Sequence, residues 1–208
     1  CSTSDQKSYA LEGSVFIAGA AIQWLRDELQ IIKTAQETEQ IANSIKDTGG
    51  VYVVPAFTGL GTPYWQSSAR GAIVNLTRGI GRAEIVRATL ESIAYQTVDV
   101  VQTMAAEANL PFDYLKVDGG AVNNNFLMQF QADLLDRPVE RPQQVETTAL
   151  GAAYLAGLTV GVWSDVAELE KYRKVDQVFT PSMSTSLRQE KLAGWKTAVD
   201  QVIEGAVN

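Results

Sequence analysis

The sequence predicts an α/β fold with a mostly parallel central part. Strand-like, β-branched runs alternate with segments of helical periodicity along the chain. Residues 51–57 (VYVVPAF) lack alternation, as in a strand covered on both faces. A third sign is a strand that runs through Asp118-Gly119-Gly120 straight into a helical pattern. With 46% hydrophobic and 20% charged residues in 208 positions, the chain can bury a core, which excludes a disordered reading. No internal repeat or linker appears, so residues 1–208 read as one domain.

The elements follow in order. The polar opening, 1–9, reads as an exposed start. Residues 10–29 begin as a short strand or bend and become a helix. Val15, Phe16, Ala18, Gly19, Ala20, Ala21, Ile22, Trp24 and Leu25 wrap it on all sides, the pattern of a buried helix. A second helix, 34–45, is polar on most faces and ends at Asp47-Thr48-Gly49-Gly50. After the strand 51–57, FTGLGTPYW (57–65) is a loop, and 71–79 is strand-like. A long helix over 83–108 carries the stripe Ile85, Val86, Leu90, Ile93, Ala94, Thr97, Val101, Met104, and Asn109-Leu110-Pro111 stops it. A strand at 114–117 leads into DGGAVNNN, and a helix runs from near Asn123 to near Asp136. A proline-flanked strand occupies 138–142. An Ala-rich, buried helix covers 147–161, with Thr147 or Thr148 as N-cap. A short helix spans 165–172. The last helix, about 186–203, aligns Leu187, Leu192, Trp195, Val199 and Val202 on one face.

Seventeen Lys+Arg against 24 Asp+Glu leave a net charge of −7, which argues against a nucleic-acid binder. No run of eighteen apolar residues and no charged-then-apolar leader is present, so neither a membrane span nor a signal peptide is expected. The single cysteine, Cys1, cannot form an internal disulfide or a thiolate zinc cage. With no histidine, Ser-His-Asp triads and Cys-His nucleophiles are excluded within this chain.

Three segments are candidates for chemistry. In Asp118-Gly119-Gly120 the glycines let a ligand approach the backbone, and a following helix N-terminus suits phosphate. The alternative is a simple strand-to-helix turn, with one of Asn123, Asn124 and Asn125 as the N-cap. Asp118 is open to two roles, metal ligand or acceptor for its own turn. Gly19 marks a close approach to the first helix by another helix or by a planar ligand, and Gln23 lies one turn on. FTGLGTPYW lacks the Walker lysine and is not a P-loop; it reads as a structural turn capped by buried Tyr64 and Trp65. Glu91, Arg70 and Arg78 are expected in ordinary ion pairs.

Residues 51–65, 87–100, 117–135 and 139–157, with 9–28 in the same order, resemble the FGGY carbohydrate kinases, and among them the branch acting on glycerol. The members acting on xylulose or ribulose share the Asp-Gly-Gly turn but are less similar at 55–65 and 90–97. The resemblance implies a ribonuclease H-like fold of the actin, sugar-kinase and heat-shock-ATPase type, with helices on both faces of a mixed sheet. It makes this chain most of the C-terminal, nucleotide-binding domain, lacking its first two strands and so exposing a sheet edge. Gly19 and Gln23 match family residues lining ATP or ADP; Gly120, Ala121 and Asn124 match those at its ribose, base and phosphates.

The implied function is ATP-dependent phosphorylation of glycerol to glycerol 3-phosphate in the intact protein. The rival readings are another FGGY sugar kinase or a non-catalytic nucleotide module. The polyol pocket, the proton-accepting Asp and the Mg²⁺ carboxylates would lie upstream, so this chain carries no catalytic or metal residue and is expected to be inactive alone. A cytoplasmic homo-oligomer, dimer or tetramer, is implied as well. Two positions depart from the family pattern: Asn75 stands where a Gly is usual, and Gln66 where an Asp follows the Tyr-Trp pair.

Overall fold

The computed structural model describes residues 9–109 and 112–206. The opening 1–8, Cys1 included, and the Leu110-Pro111 part of the stop signal lie outside the described residues. In chain order the elements are α1 (Gly19–Asp27), α2 (Glu37–Asn43), β1 (Tyr52–Val54), β2 (Ala72–Val74), α3 (Arg82–Ala108), β3 (Leu115–Lys116), a 3-10 turn (Gly120–Asn123), α4 (Asn125–Leu135), β4 (Val139–Pro142), α5 (Thr147–Thr159), α6 (Val166–Glu170), β5 (Val175–Phe179) and α7 (Thr185–Gly205). They form two compact units: Cys1–Phe112 with Gln189–Asn208, and Asp113–Arg188.

In the first unit β1 pairs antiparallel with β2, Val53 opposite Ile73. Successive strand residues face opposite ways, and both Val53 and Val54 are buried, so β1 is covered on both faces as its unbroken apolar run predicts. The long α3 forms as its stripe predicts and ends at Asn109 in the left-handed conformation. From Val86 to Val98 nearly every α3 residue is buried, including Arg87, Glu91 and Gln96. Tyr95 stacks on Trp195 of α7 with ring centroids 5.2 Å apart. The α7 face continues through Val199 and Val202, both buried, while Leu187 in its first turn is exposed.

Helix α1 departs from the expectation. It begins at Gly19 and buries one face only, through Ala21, Ile22 and Leu25. Residues 15–18 precede it and are not helical, so the apolar stretch that filled every side of a helical projection is split between a bend and a nine-residue helix.

The second unit holds a three-stranded sheet ordered β3-β4-β5. β3 and β4 are parallel, Leu115 opposite Val139, and β4 and β5 are antiparallel, Val139 opposite Phe179. Among the described strands parallel pairing is confined to β3–β4, a mixed rather than mostly parallel arrangement, because β1–β2 is antiparallel and β5, a strand the sequence does not announce, pairs antiparallel with β4. α4 buries Leu127, Met128, Phe130, Leu134 and Leu135.

Helix α5 has the predicted bounds to within two residues but is not buried: Gly157 alone is, with the Trp163 ring lying where a Cβ would stand. Leu155, Val160 and Val162 are exposed. Its N-cap is Glu146, not Thr147 or Thr148, and no side chain caps it. In the short α6 the Asp165 carboxylate caps Glu168 N–H at 2.8 Å.

Candidate functional site

β3 delivers the chain to Asp118-Gly119-Gly120. Gly119 has φ +82° and ψ 174°, a backbone region closed to residues with a Cβ. Its N–H donates to Val145 O at 2.8 Å, so the turn is tied to the strand-to-helix segment before α5. An α-helix does not follow directly. The 3-10 turn comes first, and Asn124 then adopts an extended conformation and caps α4, its Oδ1 accepting Leu127 N–H at 2.9 Å. Asn124 is thus the N-cap that the run of three asparagines left open.

Gly120 and Ala121 are exposed and Asn124 is half-buried. A Cβ placed on Gly119 or on Gly120 would meet no atom within 4 Å. Nothing in the protein presses on that stretch of backbone, so the glycine pair offers open backbone to a ligand rather than room for packing. The 3-10 turn is held from below by Val122, which is buried, and by Arg141, whose Nη1 donates to Val122 O and to Asn125 Oδ1, each at 2.9 Å.

The Asp118 carboxylate neither caps its own turn nor joins a carboxylate group. Its Oδ2 accepts the Thr147 hydroxyl. Among the described residues, no three His, Cys, Asp or Glu side chains gather into a metal-binding group. Asp118 and Thr147 share the wall of a cavity of about 600 Å³ with Lys116, Gly151, Tyr154 and Lys174. Gly120, Ala121 and Asn124 are not among its lining residues.

The remaining candidates, Gly19 and Gln23, lie on α1 in the first unit. Gly19 is the first helical residue, exposed, with no atom within 4 Å of its Cβ position, so close helix packing is not what keeps it a glycine. Gln23 is exposed one turn later. The structure brings Gly120, Ala121 and Asn124 together in one turn, and Gly19 and Gln23 together on one helix.

The loop 57–65 is a structural turn, pinned differently from the expectation. Thr62 exchanges two bonds with Ser14, N–H to Ser14 O and Oγ1 from Ser14 N–H, both 3.0 Å. Tyr64 is half-buried and its hydroxyl donates to Asp99 at 2.9 Å, but Trp65 is 63% exposed and only meets Phe16 edge-on. Leu60 and Gln66 close the loop with two backbone bonds, at 2.9 and 3.0 Å. Arg70 spends its Nη1 on Ser67 O and Ala69 O instead of an acidic partner. Glu91 is 2% exposed and pairs with Arg87 at 2.8 Å, Lys191 standing at 4.0 Å; burial raises its carboxyl pKa against the pull of those two cations. Asn75 has φ +63° and donates from Nδ2 to Gly50 O, which explains how an asparagine stands at a glycine position.

Two residues that organise the turn, Thr147 and Arg141, escaped the sequence reading. From sequence Thr147 offers itself only as a helix cap. Arg141 sits in a five-residue run bounded by prolines, and an arginine within so short a strand is the one available signal.

Residues 2–160 match the FGGY family of carbohydrate kinases, C-terminal domain. Glycerol kinase of Alkaliphilus metalliredigens is 59% identical over 94% of this chain and 39% of its own length. That of Haemophilus influenzae is 57% identical over 99% of this chain and 41% of its own. The chain therefore spans about two fifths of the length of the curated relatives it matches. The solved Plasmodium falciparum glycerol kinase with ADP superposes with a TM-score of 0.83 at 34% identity, over 91% of this chain and 38% of that one. A ligand-bound xylulose kinase from Lactobacillus acidophilus, at 23% identity and a TM-score of 0.73 over 92% and 38%, shares the fold. The fold is the ribonuclease H-like one of these sugar kinases. Among the described residues no helix is long and apolar enough to cross a membrane.

Proposed function

This chain belongs to the FGGY family of carbohydrate kinases, by its C-terminal domain, and on that premise we propose that it is the nucleotide-binding part of an ATP-dependent glycerol kinase. The observation that carries the reading is 57% to 59% identity to glycerol kinases along 94% or more of the chain. The whole protein would move the γ-phosphoryl group of ATP to a terminal hydroxyl of glycerol, giving glycerol 3-phosphate and ADP. Such a transfer depends on holding donor and acceptor in line and on stabilising charge, not on a covalent enzyme intermediate.

This chain's share is to hold the donor. Gly120 and Ala121 present bare backbone to the nucleotide, Asn124 borders it, and Gly19 and Gln23 supply a second set of contacts. The residues fit a nucleotide on a physical point: the space that a Cβ at Gly120 would fill is empty. Mg²⁺ would travel with the phosphates, its carboxylates and the proton-accepting Asp belonging to the rest of the whole protein. The chain alone would then bind nucleotide without transferring phosphate. The whole protein is read as a cytoplasmic homo-oligomer.

Calorimetric titration of the 208-residue chain with ADP tests the reading, alongside Gly120→Val. A Cβ at this position enters open space, so the variant is expected to keep its fold, which thermal unfolding checks, and its effect then reports on the ligand. ADP affinity should fall by at least about tenfold, roughly 1.4 kcal/mol. No heat with the unaltered chain, or equal affinity in the variant, overturns the site. A panel of glycerol, xylulose and ribulose offered to the whole protein decides the acceptor, with glycerol expected to turn over fastest.

A further inference from the structure

Residues 118–125 are held from two sides by groups that the nucleotide reading does not use. On one side stands the entry to α5. Thr147 Oγ1 donates to Asp118 Oδ2, and Val145 O accepts the Gly119 N–H at 2.8 Å. Together these bonds fix the carboxylate that opens the turn and the amide of the residue whose positive φ reverses it.

On the other side Arg141 reaches up from β4. Its Nη1 donates to Val122 O and to Asn125 Oδ1, the two acceptors that bracket Asn124 in sequence. The guanidinium is itself aimed: Nε donates to Asp176 Oδ2 at 2.8 Å, Nη2 to Gln177 Oε1 at 3.2 Å, and Cζ stands 5.2 Å from the centroid of the Phe179 ring. The side chain is 11% exposed. A planar fork with each nitrogen engaged is a geometry that a lysine cannot reproduce.

We infer that Thr147 and Arg141 are positioning residues for the nucleotide. This rests on the reading of the turn as the nucleotide site. Two adjacent glycines have the largest conformational freedom of any dipeptide, and ordering them on binding would cost affinity. The two clamps order them beforehand, so that Gly120, Ala121 and Asn124 already stand in the binding geometry when the ligand arrives.

The test is calorimetric titration of the 208-residue chain with ADP, using Thr147→Val, Thr147→Ser and Arg141→Lys, with thermal unfolding run in parallel. Thr147→Val keeps the shape and removes the hydroxyl; it should bind ADP about tenfold more weakly. Thr147→Ser restores the hydroxyl and should return affinity to within about twofold of the unaltered chain, a rescue that a purely structural role would not give. Arg141→Lys keeps the charge, loses the fork and should also lose about tenfold. Should Arg141→Lys fail to fold, the threonine pair decides alone. If the unaltered chain binds ADP and Thr147→Val binds it equally well, or if serine fails to rescue, the inference is overturned. If the unaltered chain does not bind ADP, it is the nucleotide reading itself that falls.

Discussion

Trp195 Nε1 donates to Asp99 Oδ2 at 2.7 Å, joining two residues 96 positions apart in the chain. The same carboxylate oxygen accepts the Tyr64 hydroxyl at 2.9 Å. One acidic group on α3 therefore ties down both the last helix and the loop 57–65.

That carboxylate should leave a mark on the pH dependence of stability. Burial raises the Asp99 pKa above the ordinary carboxylate value, while the bonds from Trp195 and Tyr64 oppose the rise. The folded chain then keeps the proton to a higher pH than the unfolded chain does. The contribution is complete below the unfolded pKa, near 4, and is lost as pH climbs through the raised value. Asp99→Asn retains an acceptor oxygen and removes the titration. Its unfolding midpoint should gain on that of the unaltered chain as the pH is raised from about 4 through the titration of the folded carboxyl. A gap that stays constant over that range would contradict the assignment.

The buried ion pair on α3 predicts a strongly asymmetric pair of variants. Arg87 donates to Glu91 and, through Nη1, to Ala42 O at 3.0 Å and Ile45 O at 2.6 Å. Arg87→Met strips Glu91 of its close partner and should cost about 3–5 kcal/mol in urea unfolding. Arg87→Met combined with Glu91→Leu removes both charges and should recover most of the loss. A cost below about 1 kcal/mol for the single change would mean that Lys191 suffices as counter-charge.

Two of three glycines should resist a methyl group and the third should accept it. A Cβ on Gly61 would stand 2.3 Å from the Ser14 carbonyl oxygen, which is backbone and cannot swing aside. Gly61→Ala is expected to cost about 1–3 kcal/mol. Gly119→Ala meets no atom but must adopt φ +82°, again about 1–3 kcal/mol. Gly120→Ala has neither difficulty and should stay within about 0.5 kcal/mol of the unaltered chain. Chemical denaturation gives all three, and a Gly120→Ala cost as large as the others would mean that the turn is packed rather than open.

The long elements were legible because each repeats one simple pattern for several turns. α3 and the buried part of α7 follow their apolar stripes, and α4 ends near Asp136 as expected. β5 was not legible: Val-Asp-Gln-Val-Phe lacks the strict alternation of a half-buried strand, and its two valines are exposed beside a buried Phe179. Helix α5 shows the converse error. Its composition is as apolar as a core helix, yet composition says nothing of whether another layer covers it. In the candidate site the glycine pair and the asparagine cap were readable, since positive φ and capping are local demands. Thr147 and Arg141 were not, because their partners lie 29 and 16 to 19 residues away in sequence. The sequence also showed no linker where the chain divides into compact units; the first boundary follows the end of α3 and the second falls inside α7.

The indole of Trp195 is 1% exposed in the first unit, and that of Trp163 lies on the bare backbone of Gly157 in the second. Each compact half thus owns one packed tryptophan, buried in the first and half-buried in the second, and the remaining two, Trp24 and Trp65, belong to the first half. Replacing those two by phenylalanine, together with either Trp195 or Trp163, leaves light from a single half. The colour and brightness of that emission then report the melting of one half while the other stays dark.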